Sequence, residues 1–177
     1  MREVSIAEVW RKKYPERVVV AVTWDEKNER VNLIPLGWYM QTSFKPPLVA
    51  ISVGVTRYSH KLLHKTREFV LFFPSKKMGK QVYYWGTHSG RDVDKLKEAP
   101  VETTPARFVK PPLIVGAPIN LECQVVDSLK TGDHTIFVGR ILTAYLEEGE
   151  DILLNFGEYV FGGLKEGEIL FDPRNEK

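Results

Sequence analysis

The sequence predicts a mainly β protein, a closed antiparallel barrel decorated by short inserted helices. Three observations carry this. Segments dense in β-branched and aromatic residues recur at strand length, among them "RVVVAVTW" (17–24), "LVAISVG" (48–54) and "FVLFFP" (69–74). The two longest, "PINLECQVVDSLK" (118–130) and "HTIFVGRILTAYLEE" (134–148), are joined by "TGD", a hairpin signal. Helical spacing is confined to two or three short stretches set between strands, so most of the chain has to close on itself as sheet.

The elements follow in order. "SIAEVWRKKY" sets Glu8 three residues after Ser5, a capping-box signature, and places Ile6, Val9 and Trp10 on one face. This predicts a short helix over 5–13, ended near Pro15. The strand 17–24 reads as buried and gives way to the polar turn "DEKNER". "VNLIPLGWYMQTSF" (31–44) reads as one strand interrupted at Pro35 and Gly37, by a bulge or a close backbone approach. Pro46 and Pro47 stop it, and 48–54 is the next strand.

"SHKLLHKTREF" (59–69) has Ser59 as a candidate N-cap and Leu62, Leu63 and Phe69 at helical spacing. "SKKMGKQVYYWG" (75–86) is a second amphipathic helix, with Ser75 as cap and Gly86 near its end. Asp92 is placed to cap a short helix through 95–97. The Pro-rich stretch 98–117 is extended, and "DILLNFGEYVFGGL" (151–164) is apolar with closing glycines. No repeat or low-complexity linker divides the chain, which predicts one domain over 1–177 with its barrel at about 17–164.

Bulk properties narrow the function. A length of 177 residues lies within the ~100–200 of a single domain. A formal charge of +2 gives no bulk attraction to nucleic acid or anionic membrane. The single cysteine, Cys123, excludes a disulfide framework, thiolate zinc sites and cysteine-ligated iron–sulfur clusters. There is no apolar core of signal-peptide length, and no run near the ~20 apolar residues of a membrane span. The expectation is a cytoplasmic protein.

Several constellations invite chemistry. Neither G-x-x-x-x-G-K-[ST] nor G-x-G-x-x-G occurs, so a P-loop or Rossmann nucleotide site is not expected. "GVTRYSHK" (54–61) puts Thr56, Arg57 and Ser59 at a predicted helix start, where free N–H groups and the dipole favour an anion and Arg57 adds a bidentate partner. Ordinary capping explains the same residues, and both readings stand at this point. His60 and His64 have the i, i+4 spacing of zincins but lack the glutamate of H-E-x-x-H. "YYWGTHSGRDVDK" (83–95) crowds His88, Ser89 and Asp92 together, yet triad members meet in space and G-x-S-x-G is absent. Trp38, after Gly37 and before "QTS", is placed to border a flat ring ligand.

The motifs N-x-x-P-x-x-W (32–38), S-F-x-P-P-L-V-A-[IV]-S (43–52), R-Y-[ST]-H (57–60), G-x-x-S-G-R-[DE]-x-[DN]-K (86–95) and G-D-H-T (132–135) are specific in combination. Together they resemble the flavin reductase-like family of FMN-binding split-barrel proteins, over roughly 17–164. The resemblance implies a split barrel of six antiparallel strands in Greek-key order. It also implies a homodimer that binds FMN, with FAD as the alternative flavin, and takes electrons from NAD(P)H. The acceptor would be free flavin, a ferric chelate or a redox partner protein.

By the same resemblance Asn32 and Trp38 border the flavin, with Thr42 and Ser43 in the turn beyond. Ser52, Val53 and Gly54 lie on a strand whose backbone lines the isoalloxazine, and Arg57, Tyr58, Ser59 and His60 meet the phosphate and ribityl chain. Ser89, Arg91, Asp92 and Lys95 close over the cofactor, with His134 and Phe161 at its edge. Lys95 or His134 would stabilise charge at N1 and O2 of the reduced ring, and no covalent nucleophile is implied. Two departures stand out: Phe72–Phe73–Pro74 replaces a common N-F-P, and Trp85 replaces a smaller residue.

Overall fold

In the computed structural model, residues 1–149 and 151–163 are described. The chain opens with α1 (Ile6–Trp10), β1 (Glu16–Arg17), β2 (Val19–Asp25), β3 (Arg30–Leu36), β4 (Tyr39–Phe44) and β5 (Pro47–Gly54). It continues with α2 (Tyr58–Thr66), β6 (Glu68–Phe73), α3 (Gly79–Thr87), α4 (Lys95–Glu98), β7 (Thr103–Thr104) and β8 (Leu113–Ile114). The long hairpin β9 (Ile119–Thr131) and β10 (His134–Leu146) precedes β11 (Leu154–Asn155) and β12 (Phe161–Gly162). Leu164, the last residue of the apolar segment expected over 151–164, lies outside the described residues.

The main sheet runs β3-β2-β6-β9-β10-β5-β4, entirely antiparallel. It has seven strands where the resemblance implied six, because the segment 31–44 is two strands and not one interrupted strand. The break falls at Gly37 and Trp38. A Cβ on Gly37 would sit 2.3 Å from an oxygen of the Glu16 carboxylate, so this position takes only glycine without displacing that side chain. β3 and β4 are the two outer strands of the sheet, yet only two residues separate them in sequence. The sheet therefore curls until its edges approach, and the barrel is left with a seam.

Strand alternation explains why the apolar runs are continuous. On β2, Val19 and Ala21 enter one cluster with Val49, Ile51, Val53, Phe69, Leu71 and Phe137, the barrel interior. Val20 and Val22 enter another with Val70, Phe72, Val82, Trp85 and Ile114, beneath α3 and the 99–117 segment. Both faces are covered here, so the run Val19–Val22 is apolar on both sides. Burying each such side chain contributes about 1.5–3 kcal/mol. Gly139 is required inside: a Cβ there would meet the Phe69 ring at 2.6 Å.

Glu122, in β9, is fully buried and accepts hydrogen bonds from the backbone N–H groups of Arg107, Phe108 and Val109 and from the Tyr145 hydroxyl. That carboxylate fastens the Pro-rich segment to the sheet. A separate small sheet, β1-β11-β12, joins the two ends of the described chain. No helix among the described residues is long and apolar enough to cross a membrane.

Local signals were in part reassigned. The first helix is shorter than 5–13, although Ser5 does accept from the Glu8 N–H. α2 begins two residues early, with Arg57 and not Ser59 at the N-cap. Ser75 precedes a 3₁₀ turn (Lys76–Met78) without a side-chain cap, and Gly86 lies inside α3. Asp94, not Asp92, caps α4 by accepting from the Lys97 N–H.

Candidate functional site

The seam opens into a cleft of about 730 Å³, within the ~300–1,000 Å³ of ligand pockets. β3 supplies Asn32, the break supplies Gly37 and Trp38, and β5 supplies Ser52 and Gly54. Val53, between those two, points the other way into the barrel core, as a period of two requires. Its side chain therefore does not line the cleft, while the resemblance concerned the backbone of this strand.

One end of the cleft has the chemistry to receive an anion. Arg57 occupies the N-cap of α2 and offers no side-chain acceptor, so the helix start lacks a side-chain cap. The Ser59 hydroxyl, expected as the cap, instead accepts from Asn32 Nδ2 at 2.8 Å. Among the described residues the Arg57 guanidinium has no hydrogen-bond or ion-pair partner, and it lines the cleft with Thr56, Tyr58 and Ser59. Free N–H groups, the positive end of the helix dipole and an unpaired guanidinium converge there.

Asn32 borders the same end. It is buried, and its Nδ2 donates to Thr23 Oγ1 at 3.0 Å as well as to Ser59. Its Oδ1 has no partner among the described residues. Gly90 comes down on that oxygen so closely that a Cβ would stand 2.1 Å from it. An unpaired buried acceptor at a cleft is open to a donor from a ligand or a water.

Lys95 lies at the start of α4, 5% exposed, and still lines the cleft. Its Nζ donates to the carbonyls of Leu33, at 2.8 Å, and Trp85. The Trp85 indole N–H in turn donates to the Lys95 and Ala99 carbonyls. The large residue that replaces a smaller one here is thus the partner that seats Lys95. Burial above all, and then the charge of Arg57, push the Lys95 ammonium from 10.5 down to about 8.

The other end is aromatic. Trp38 is half exposed, and its ring lies 4.8 Å from that of His134. His134 Nδ1 is 2.7 Å from Asp133 Oδ1, while Nε2 faces the Gly54 side. Tyr159 and Phe161 close the wall, with Tyr159 edge-on to Tyr83 at 5.4 Å. Ser89 and Arg91 line the loop side, and the Ser89 hydroxyl accepts from the Arg91 N–H.

Four further residues named by the resemblance stand apart from the cleft. Thr42 and Ser43 lie down β4, past its irregularity at Gln41/Ser43. Asp92 is exposed and makes no ion pair with Arg91, whose guanidinium donates to the Thr56 carbonyl. His60 turns its Nε2 to Thr135 Oγ1 at 2.9 Å and packs its ring on His64 and Phe137. Burial, then the neighbouring His64, hold the His60 pKa low. His88 stacks on Tyr84 with ring centroids 3.9 Å apart and does not engage Ser89. No group of three or more His, Cys, Asp or Glu among the described residues is arranged to hold a metal.

Sequence reasoning missed Trp10, Lys13, Tyr14 and Glu16, which line the cleft from the N-terminal segment. Their one signal was Gly37, read as a close approach without its partner being identifiable.

Residues 10–163 match the family model described as the flavin reductase like domain. A protein of Pyrococcus abyssi is 37% identical over 142 residues, which cover 80% of each chain. The NADH-dependent FAD reductase of Streptomyces globisporus is 32% identical over 60% of this chain and 58% of that one. Among solved structures, the FMN-binding protein of Thermus thermophilus superposes with a TM-score of 0.81 at 30% identity, covering 92% of this chain and 94% of that one. The flavoredoxin of Methanosarcina acetivorans gives 0.79 at 26% identity, covering 94% and 93%. The motifs, the split barrel and these matches agree, and the chain belongs to the flavin reductase-like family.

Proposed function

We propose that this protein is an FMN-binding oxidoreductase that takes electrons from NAD(P)H and delivers them to free flavin or to an acceptor such as a ferric chelate. The observation that carries the reading is the N-terminus of α2, without a side-chain cap and with the unpaired Arg57 guanidinium beside it. A phosphate fits there: it would accept from Arg57 and from the first N–H groups of the helix. The orphaned Asn32 Oδ1 fits a hydroxyl or imide donor, and the exposed face of Trp38 fits a flat ring.

A bound flavin supplies the hydride and one-electron chemistry. The chain's own residues orient and tune it. Lys95 holds a positive charge at the cleft wall, fixed by two carbonyls. His134, with Nδ1–H given to Asp133, presents Nε2 as an acceptor when neutral and as a donor when protonated. Such fixed donors can contribute about 3–4 kcal/mol where negative charge develops. The relatives named for NADH-dependent flavin reduction and FMN binding support the assignment.

A homodimer belongs to the same reading. Met40, Ala50 and Val138 lie in cross-strand register, and with Ile136 they form an apolar outer patch beside Trp38. Sedimentation at several concentrations tests it.

Titration of flavin-free protein with FMN, FAD and riboflavin tests the site. Arg57→Ala should weaken FMN roughly 10–100-fold, the scale of a charge-assisted contact, and leave riboflavin unchanged. Equal FMN affinity in the variant sinks the phosphate assignment. A second reading, an FMN electron carrier without its own nicotinamide reaction, draws on the likeness to flavoredoxin. Oxidation of NADH or NADPH by the purified protein separates the two.

A further inference from the structure

Arg30 begins β3 and is not among the cleft-lining residues. Its Nη2 donates 2.6 Å to the carbonyl of Gly90, in the loop between α3 and α4. Its Nε lies 3.9 Å from Oδ2 of Asp25, a carboxylate only 2% exposed. The same oxygen accepts from the Tyr58 hydroxyl at 2.7 Å. The Tyr58 ring lies 5.7 Å from the Arg91 guanidinium carbon, and Arg91 Nη2 donates to the Thr56 carbonyl at 2.8 Å. The contacts form a circuit: loop to β3, β3 to the β2 end, β2 to the first turn of α2, and α2 back to the loop.

We propose that Asp25 and Arg30 are positioning residues that latch the 88–94 loop over the cleft and so set how slowly a bound flavin leaves. The proposal rests on the flavin reading above. The latch grips a backbone carbonyl, so it constrains the loop's path independently of its side chains. Asp25 stays ionised. Burial alone would raise its pKa, but hydrogen bonds from Asn28, from Tyr58 and from the backbone N–H groups of Asn28 and Lys27 bring it below the ordinary carboxylate value. It can thus hold Arg30 and Tyr58 at once. The loop lies close over Asn32, since a Cβ on Gly90 would stand 2.1 Å from its Oδ1. Opening it breaks a charge-assisted bond at Gly90 before anything in the cleft moves.

Arg30→Ala tests this with two measurements. In flavin-free protein, amide hydrogen exchange across 88–94 should accelerate roughly tenfold, the scale of losing one charged hydrogen bond. FMN release, followed by recovery of free-flavin fluorescence after competition, should accelerate by a similar factor of ~10 with the association rate unchanged. Arg30→Lys, which keeps the charge but not the fork, should fall between. Unchanged exchange overturns the latch. Faster exchange with unchanged release overturns its control of the ligand. If the natural protein binds no flavin, the site reading fails and the role in release fails with it, while the exchange data still judge the latch. Should Arg30→Ala not fold, Tyr58→Phe breaks the circuit at its next bond and is held to the same two outcomes.

Discussion

Glu122 and Lys95 are both buried ions, and the fold treats them in opposite ways. Glu122 receives three backbone N–H groups and a tyrosine hydroxyl, and it sits away from the cleft. Burial alone would raise its pKa, but those four donors outweigh burial and bring it below the ordinary value. Lys95 has two backbone carbonyls and, among the described residues, no carboxylate, with a cleft beside it and Arg57 adding repulsion. The first charge is stabilised by the folded state, and the second is tolerated at a cost. Strain of the second kind is what a site retains when the charge serves a ligand.

The largest expected effect breaks the satisfied ion. Glu122→Gln should lose about 3 kcal/mol of stability in urea unfolding, because buried donors lose their anion. A loss below about 1 kcal/mol would show that the carboxylate does not hold the 107–109 segment. The natural protein's Glu122 contribution is fully present above the unfolded pKa of 4.5 and is lost as pH falls from there through the lower folded pKa.

The next effect sharpens the contrast. Lys95 is 10.5 unfolded and about 8 folded, so between these values the unfolded chain binds the extra proton and stability rises with pH. Flavin-free protein should gain on the order of 2 kcal/mol from about pH 8 to pH 10 through this group, and Lys95→Met should lack that gain. Parallel pH profiles of the two proteins would put the cost elsewhere.

A smaller effect concerns the cleft alone. Gly90→Ala forces the loop off Asn32 and should weaken flavin binding roughly tenfold, with the unfolding midpoint nearly unmoved. Smallest is Ser5→Ala. It removes a cap worth about 1 kcal/mol to α1, but that helix buries no residue, so global stability should shift by less than about 0.5 kcal/mol.

Much of the fold was legible because β-branched runs and the TGD hairpin are local signals. The strand break was legible too, at Gly37, but the Glu16 carboxylate that a side chain there would strike is one that no local rule identifies. Ser59 looked like a cap by composition alone. The helix starts earlier, so Arg57, which has no side-chain acceptor, takes the N-cap, and the Ser59 hydroxyl inside the first turn accepts from Asn32, a residue far off in sequence. Residues 52–54 form one contiguous string in the motif, yet the strand turns the Val53 side chain into the barrel core, a detail the string itself does not carry. The N-terminal wall was invisible because it reaches the site through β1 pairing with β11, a contact across most of the chain.

That pairing also orders events in time. Glu16 meets Asn155 and Arg17 meets Leu154 through one of the shortest ladders in the molecule, closing a loop that contains the entire barrel. Loop-closure entropy makes such a contact late in folding, after the local hairpins and the β2–β6 and β6–β9 ladders have condensed. The same economics of entropy make it early to open. The barrel is thus a finished scaffold before its cleft has a fourth side, and a ligand that bridges both sides of the cleft would act as the last folding step.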